Sequence, residues 1–93
     1  MINPEEIYNQ IIFIRGKEAQ MYKLTEECGE FITALNQFKD GRISISELLE
    51  EVVDIDVLID QMKIIFEDRI DEWYKIKERK LKRLKGMIDE KKC

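Results

Sequence analysis

Apolar residues recur in steps of three and four through most of this chain, the spacing that lines one face of an α-helix. Ile7, Ile11 and Ile14 form the first such row and follow Asn3-Pro4-Glu5-Glu6. Asn3 is a favourable N-cap and Pro4 fits the first helical position. The two acids suit the positive end of the helix dipole. Gly16 weakens or ends this helix. A second helix is predicted from about Lys17 to Lys39, with Met21, Leu24, Cys28, Phe31, Leu35 and Phe38 as its stripe. Asp40-Gly41 closes it, Gly41 suiting the left-handed position beyond a helix end.

The third helix has the clearest start. Ser44 and Glu47 form an S-x-x-E capping box, and Ile43 and Leu48 are spaced for a hydrophobic staple. Leu48, Val52, Ile55, Ile59, Met62 and Phe66 make one stripe. Leu49, Val53, Val57, Leu58 and Ile65 widen it beyond one face, which predicts neighbours on several sides, another subunit among them. Asp56, Asp60, Lys63 and Glu67 read as a solvated stripe on the far side. A fourth helix is predicted from about Asp68, its candidate cap, to Asp89, with Ile70, Trp73, Leu81, Leu84 and Ile88 on one side. The third and fourth helices can also be drawn as one bent rod. No strand-period alternation, repeat or low-complexity segment interrupts the pattern. Long amphipathic helices with short connections predict antiparallel neighbours. The expected fold is all-α: a small antiparallel bundle of about four helices, in one domain spanning 1–93.

Composition agrees. The 93 residues are 39% charged and 44% hydrophobic, with one proline and four glycines, which suits a folded helical protein. So short a chain buries a limited core, and oligomerisation is one way to enlarge it. No apolar run approaches the ~20 residues of a membrane span. Glu5 and Glu6 stand where a signal peptide would be basic, so none is expected. Cys28 and Cys93 read as free thiols in a reducing cytoplasm. There is no histidine, so any chemistry rests on carboxylates, hydroxyls, lysines or thiols.

The net charge of -4 hides an asymmetry. Between Met21 and Asp60 acids far outnumber Lys23, Lys39 and Arg42. From Lys75 to Lys85 the chain is strongly basic. Two acidic words stand out within the acidic half. Glu26, Glu27 and Glu30 crowd into "EECGE", and Glu51 and Asp54 repeat a three-residue spacing in "EVVD". Residues three or four apart share a helical face. Glu27 and Glu30 border Phe31, and Glu51 and Asp54 line up with Leu58 and Ile65. If the two helices pack antiparallel through their stripes, four carboxylates converge at the edge of the core. Buried charge needs a partner. Oxygen ligands without His or Cys favour Mg²⁺, or Mn²⁺, over zinc. Against this, Glu- and Lys-rich helices are common, and an isolated E-x-x-E is ordinarily a solvated face.

"EECGE" followed by "EVVD" resembles the E-E-x-x-E … E-x-x-D signature of the MazG-like all-α nucleoside triphosphate pyrophosphohydrolases. That superfamily includes the dimeric dUTPases and the phosphoribosyl-ATP pyrophosphohydrolases. "GKEAQMYKLTEECGEF" is similar to the family's entry into its first motif helix, and the resemblance covers about Gly16 to Ile65. It implies Mg²⁺-dependent hydrolysis of a nucleoside triphosphate to monophosphate and pyrophosphate by a homodimer or homotetramer. Glu27, Glu30, Glu51 and Asp54 would be the metal ligands. Glu26 would stand beside them or orient water. The family's nucleotide-contacting asparagine, seven positions after the motif aspartate, is Gln61 here.

Around these words, Gln20 and Lys23 lie two turns and one turn before Glu27, and Lys77, Lys80 and Arg83 can meet triphosphate oxygens from the fourth helix. Tyr8, Phe13, Tyr22 and Trp73 can stack on a base, but suit a core or interface better. Cys28 reads as a small core residue. Gly29, costing ~1 kcal/mol inside a helix, suggests a close helix approach. The alternative function is a non-catalytic oligomerisation module of the same fold. A nucleic-acid binder using the basic run fits poorly with a sequence pI of 4.9 and few interleaved aromatics. A ferritin-like di-iron site would need histidines.

Overall fold

A computed structural model describes residues 1–90; Cys93, read as a free thiol, lies outside them. The helices are α1 (Pro4–Arg15), α2 (Lys17–Lys39), α3 (Ile45–Ile65) and α4 (Ile70–Asp89), with one 3₁₀ turn at Glu67–Arg69. No strand occurs among the described residues, and no described helix is long and apolar enough to cross a membrane.

The helix ends are set locally. The Asn3 side chain accepts the Glu6 N–H at 3.3 Å, with Pro4 in the first turn. Gly16, at φ +95°, is the one residue between α1 and α2, and its N–H reaches the Ile12 carbonyl at 2.8 Å. At the end of α2, Gly41 adopts φ +74°. The Arg42 N–H donates to the Gln37 carbonyl at 2.8 Å and the Gly41 N–H to that of Phe38 at 3.0 Å. These two bonds are the Schellman pattern. At Ser44 both halves of the capping box form: Glu47 N–H to Ser44 Oγ at 3.1 Å, and Ser44 N–H to Glu47 Oε1 at 3.3 Å. α3 and α4 are separate helices, broken at Phe66. Asp68 falls inside the 3₁₀ turn instead of capping α4, which has no side-chain cap.

α2 and α3 pair antiparallel: Gln20 meets Gln61, and further along Glu27 meets Asp54 and Glu51. α1 lies against both, tied to α3 where the Tyr8 hydroxyl donates to Asp60 Oδ2 at 3.2 Å. Asp60 and Lys63 are therefore half-buried rather than solvated. Lys63 Nζ stands 5.8 Å from the Trp73 ring centre and 5.7 Å from that of Tyr74. Among the described residues, Ala34, Leu48, Leu58, Met62 and Ile65 are the buried apolar ones.

The α2 stripe is not the centre of the core. Its most buried residues are Gln20, Glu27 and Ala34, a row at heptad spacing, while Met21, Leu24, Cys28 and Phe31 are half-buried. Leu35 and Phe38 are exposed, as are Phe13 and Tyr22. Among the described residues α4 buries none fully and makes no extended packing along another helix within one chain, although Lys63 of α3 lies over its first turn. The radius of gyration is accordingly 16.5 Å, against roughly 12 Å for a globule of this length.

Gly29 is not a close-approach site, because a Cβ built there meets nothing within 4 Å. Gly29→Ala should raise the unfolding free energy by about 0.5–1 kcal/mol through helix propensity. Gly41→Ala should lower it by about 1 kcal/mol, because its backbone is left-handed. Urea unfolding of the two variants checks the opposite signs.

Candidate metal centre

The row Gln20–Glu27–Ala34 carries polar groups into the seam between α2 and α3. Gln20 and Gln61 are 3% and 4% exposed, and Gln20 Nε2 donates to Gln61 Oε1 at 2.6 Å. Seven residues on from Gln20 is Glu27; seven residues back from Gln61 is Asp54. In antiparallel helices those equal steps, ~10.5 Å each, bring Glu27 opposite Asp54. The amide pair thus fixes the register that assembles the acids.

Glu27, Glu51 and Asp54 each present a carboxylate oxygen within 4.8 Å of the others. Glu26, Glu27 and Glu30 form a second such group. Glu27 belongs to both and is only 6% exposed. It sits within the helix contact, not on its shoulder as the stripe suggested. Lys23 Nζ lies 3.2 Å from Glu27 Oε1 and 3.4 Å from Glu26 Oε1. Hydrogen bonds to those two acids, Glu27 first, raise the Lys23 pKa. Glu27 Oε2 and Glu51 Oε2, by contrast, are enclosed without a hydrogen-bond partner among the described residues. A buried acceptor left unsatisfied costs about 1–3 kcal/mol, and more when charged. Two such oxygens on facing helices, with Asp54 beside them, suit a hard divalent cation such as Mg²⁺ or Mn²⁺.

Clefts open on both sides of the seam. One, of about 380 Å³, has Gln20, Lys23, Gln61 and Arg15 in its wall, with Glu27 and Asp54. The other, of about 450 Å³, is bounded by Glu26, Glu30, Glu51 and Gln37. Arg15 is the residue that sequence reasoning missed. It precedes the Gly16 bend, and only the packing of α1 across the hairpin brings it to the acids. Lys77, Lys80 and Arg83 are not brought there within one chain. Lys77 and Lys80 line a separate cleft on α4 with Trp73 and Leu81, and Arg83 is exposed.

No family model, curated protein or solved structure matches the chain.

The Glu30 carboxyl holds its proton above the ordinary value of 4.5. Once protonated, Glu30 can donate to Glu27, whose charge also repels the ionised form, and desolvation, Glu51 and Glu26 add to the shift; with both acids ionised no such bond forms, and Glu27 Oε2 is left without a partner among the described residues. In the metal-free state the folded protein therefore binds this proton more tightly than the unfolded chain. Stability from this group is gained as pH falls through the window above 4.5 and lost as pH rises through it. In EDTA, Glu30→Gln should raise Tm at pH 7, and its advantage over wild type should shrink as that window is crossed downward. A Gln variant less stable at pH 7, or an advantage that grows on acidification, contradicts this.

Proposed function

We propose that the chain is a Mg²⁺-dependent nucleoside triphosphate pyrophosphohydrolase, releasing a nucleoside monophosphate and pyrophosphate. The observation that carries the reading is the pair of enclosed, partnerless oxygens, Glu27 Oε2 and Glu51 Oε2, on facing helices beside Asp54. Acid clusters are common on helical surfaces without a cation; enclosed carboxylate oxygens lacking any partner are not. The likeness of "EECGE" and "EVVD" to the MazG-like signature supplies the reaction class.

Glu27, Glu51 and Asp54 would hold the ion, with Glu30 completing the set from the second cleft. When bound, Mg²⁺ neutralises phosphate charge and lowers the pKa of a coordinated water. The chain's own groups divide the remaining work. Lys23 Nζ and the Arg15 guanidinium, on the wall of the 380 Å³ cleft, meet the triphosphate oxygens. Glu26 is exposed and shares Lys23 with Glu27. In this reading it would orient the attacking water and take its proton at a carboxylate oxygen. Gln20 and Gln61 spend one donor and one acceptor on each other. The remaining Gln20 carbonyl lone pairs and Gln61 amide hydrogens have no partner among the described residues and can contact the nucleoside.

The second reading, a non-catalytic oligomerisation module, is favoured by the apolar side chains left open on α3 and α4. Turnover separates the two. With a panel of NTPs and dNTPs and Mg²⁺, the wild type should release pyrophosphate from at least one nucleotide. Glu27→Gln and Glu51→Gln should each lower kcat/KM about 100-fold or more. Orthophosphate as the first product would contradict the proposed bond cleavage. A folded, Mg²⁺-supplied wild type that turns over no nucleotide would leave the module reading.

A further inference from the structure

α1 buries none of its residues. Gly16, at φ +95°, is the whole connection between it and α2. Neither a core nor a shared helix axis therefore sets the angle of α1. Yet α1 forms one wall of the 380 Å³ cleft, which Ile11 and Arg15 line together with Glu27, Asp54 and Gln61. What fixes that wall is a hydrogen bond. The Tyr8 hydroxyl donates to Asp60 Oδ2 at 3.2 Å, across 52 positions of sequence. Asn9, next along the helix, spends its amide within α1, on the Glu5 carbonyl at 3.0 Å.

Tyr8, Ile11 and Arg15 follow at steps of three and four and share one side of α1. The bond thus lies ~10.5 Å along the helix from Arg15. Tyr8 and Asp60 are both half-buried. Burial, then the hydrogen bond to Asp60 and the charges of Asp60 and Asp56, raise the Tyr8 pKa above 10.0, so at neutral pH the hydroxyl keeps its proton and donates. Asp60 immediately precedes Gln61, which pairs with Gln20 across the seam. The bond therefore ties α1 to the same stretch of α3 that fixes the register of the acids. A swing of α1 about Gly16 that broke it would carry Arg15 away from Glu27 and Asp54.

We propose that Tyr8 and Asp60 are positioning residues: their hydrogen bond sets α1 as a wall of the cleft and so holds the Arg15 guanidinium where triphosphate oxygens bind. Both act through Arg15 and neither touches the substrate. The inference rests on the proposed reading of the cleft as a triphosphate site, and adds to that site a residue pair outside the acidic motifs. Arg15 is the group whose place depends on the pair, because Lys23 is already held on α2 by Glu26 and Glu27. Loss of the bond removes one of two cations from bound phosphate and leaves the acids of the seam in place.

Two measurements on the full chain test this. Hydrogen exchange needs no ligand: Tyr8→Phe should speed exchange of the α1 amides about tenfold and leave those of α2 and α3 unchanged. Calorimetry with inorganic tripolyphosphate and Mg²⁺ reads Arg15. Tyr8→Phe and Arg15→Gln should each weaken binding about tenfold, and the double variant should bind no worse than Arg15→Gln alone. A bond that only stabilised the fold would weaken binding in the Arg15→Gln background too, so additive losses overturn the proposal. Unchanged α1 exchange in Tyr8→Phe, or wild-type tripolyphosphate affinity in that variant, overturns it while the triphosphate reading stands. A wild type that binds no tripolyphosphate overturns both.

Discussion

The hydrogen bond between Gln20 and Gln61 joins two buried amides across the α2–α3 contact. Each amide would be costly to bury alone, and together they satisfy one donor and one acceptor. A slip of either helix by a turn would separate them. From that fixed point, the equal steps to Glu27 and Asp54 follow from helix geometry alone. The site therefore does not depend on a loop. It is a property of how two long helices are set against each other, and the Schellman turn and capping box at residues 37–47 hold the connection between them.

This register has a price in stability. Glu27 occupies a seam position that a leucine or alanine would fill more favourably, as Ala34 does one heptad later. Lys23 relieves one of its oxygens and leaves the other. Across the seam, Glu51 repeats the deficit. Removing one partner of a buried charge costs several kcal/mol, and here a partner is lacking on both helices at the same place. The proposed cation, shared between them, would offset both deficits at once. The same acidity explains why α3 presents carboxylates on more than one side: Glu51 faces inward to the seam, while Glu50 and Asp54 also border an outer groove.

Much of this was legible in the sequence, and the pattern of what was not is physical. Asn3, Ser44 with Glu47, and Gly41 signalled helix ends because capping involves residues only a few positions apart. The acidic pairs were legible for the same reason, since three-residue spacing fixes their common face. The depth of Glu27 was not, because the stripe of Met21, Leu24, Cys28 and Phe31 drew the core toward itself. The hydrophobic pattern does mark a buried side of α2, but the contact with α3 runs along its polar edge. Tyr8 with Asp60, Lys63 with Trp73 and Tyr74, and Arg15 at the cleft all join residues distant in sequence. Nothing local announces such pairs. The fourth helix was correctly expected as a helix. Its lack of packing within the chain could not be read, because an apolar stripe looks the same whether its cover is intramolecular or not.

If a divalent cation completes the Glu27 and Glu51 oxygens, which lack partners among the described residues, the folded protein must bind one. Calorimetric titration of Mn²⁺ into metal-free protein at neutral pH tests it most directly. Binding to the folded wild type should be saturable, and it should be lost in a Glu27→Gln variant that remains folded. Absence of binding to the wild type at millimolar Mn²⁺, or undiminished binding to Glu27→Gln, would contradict it.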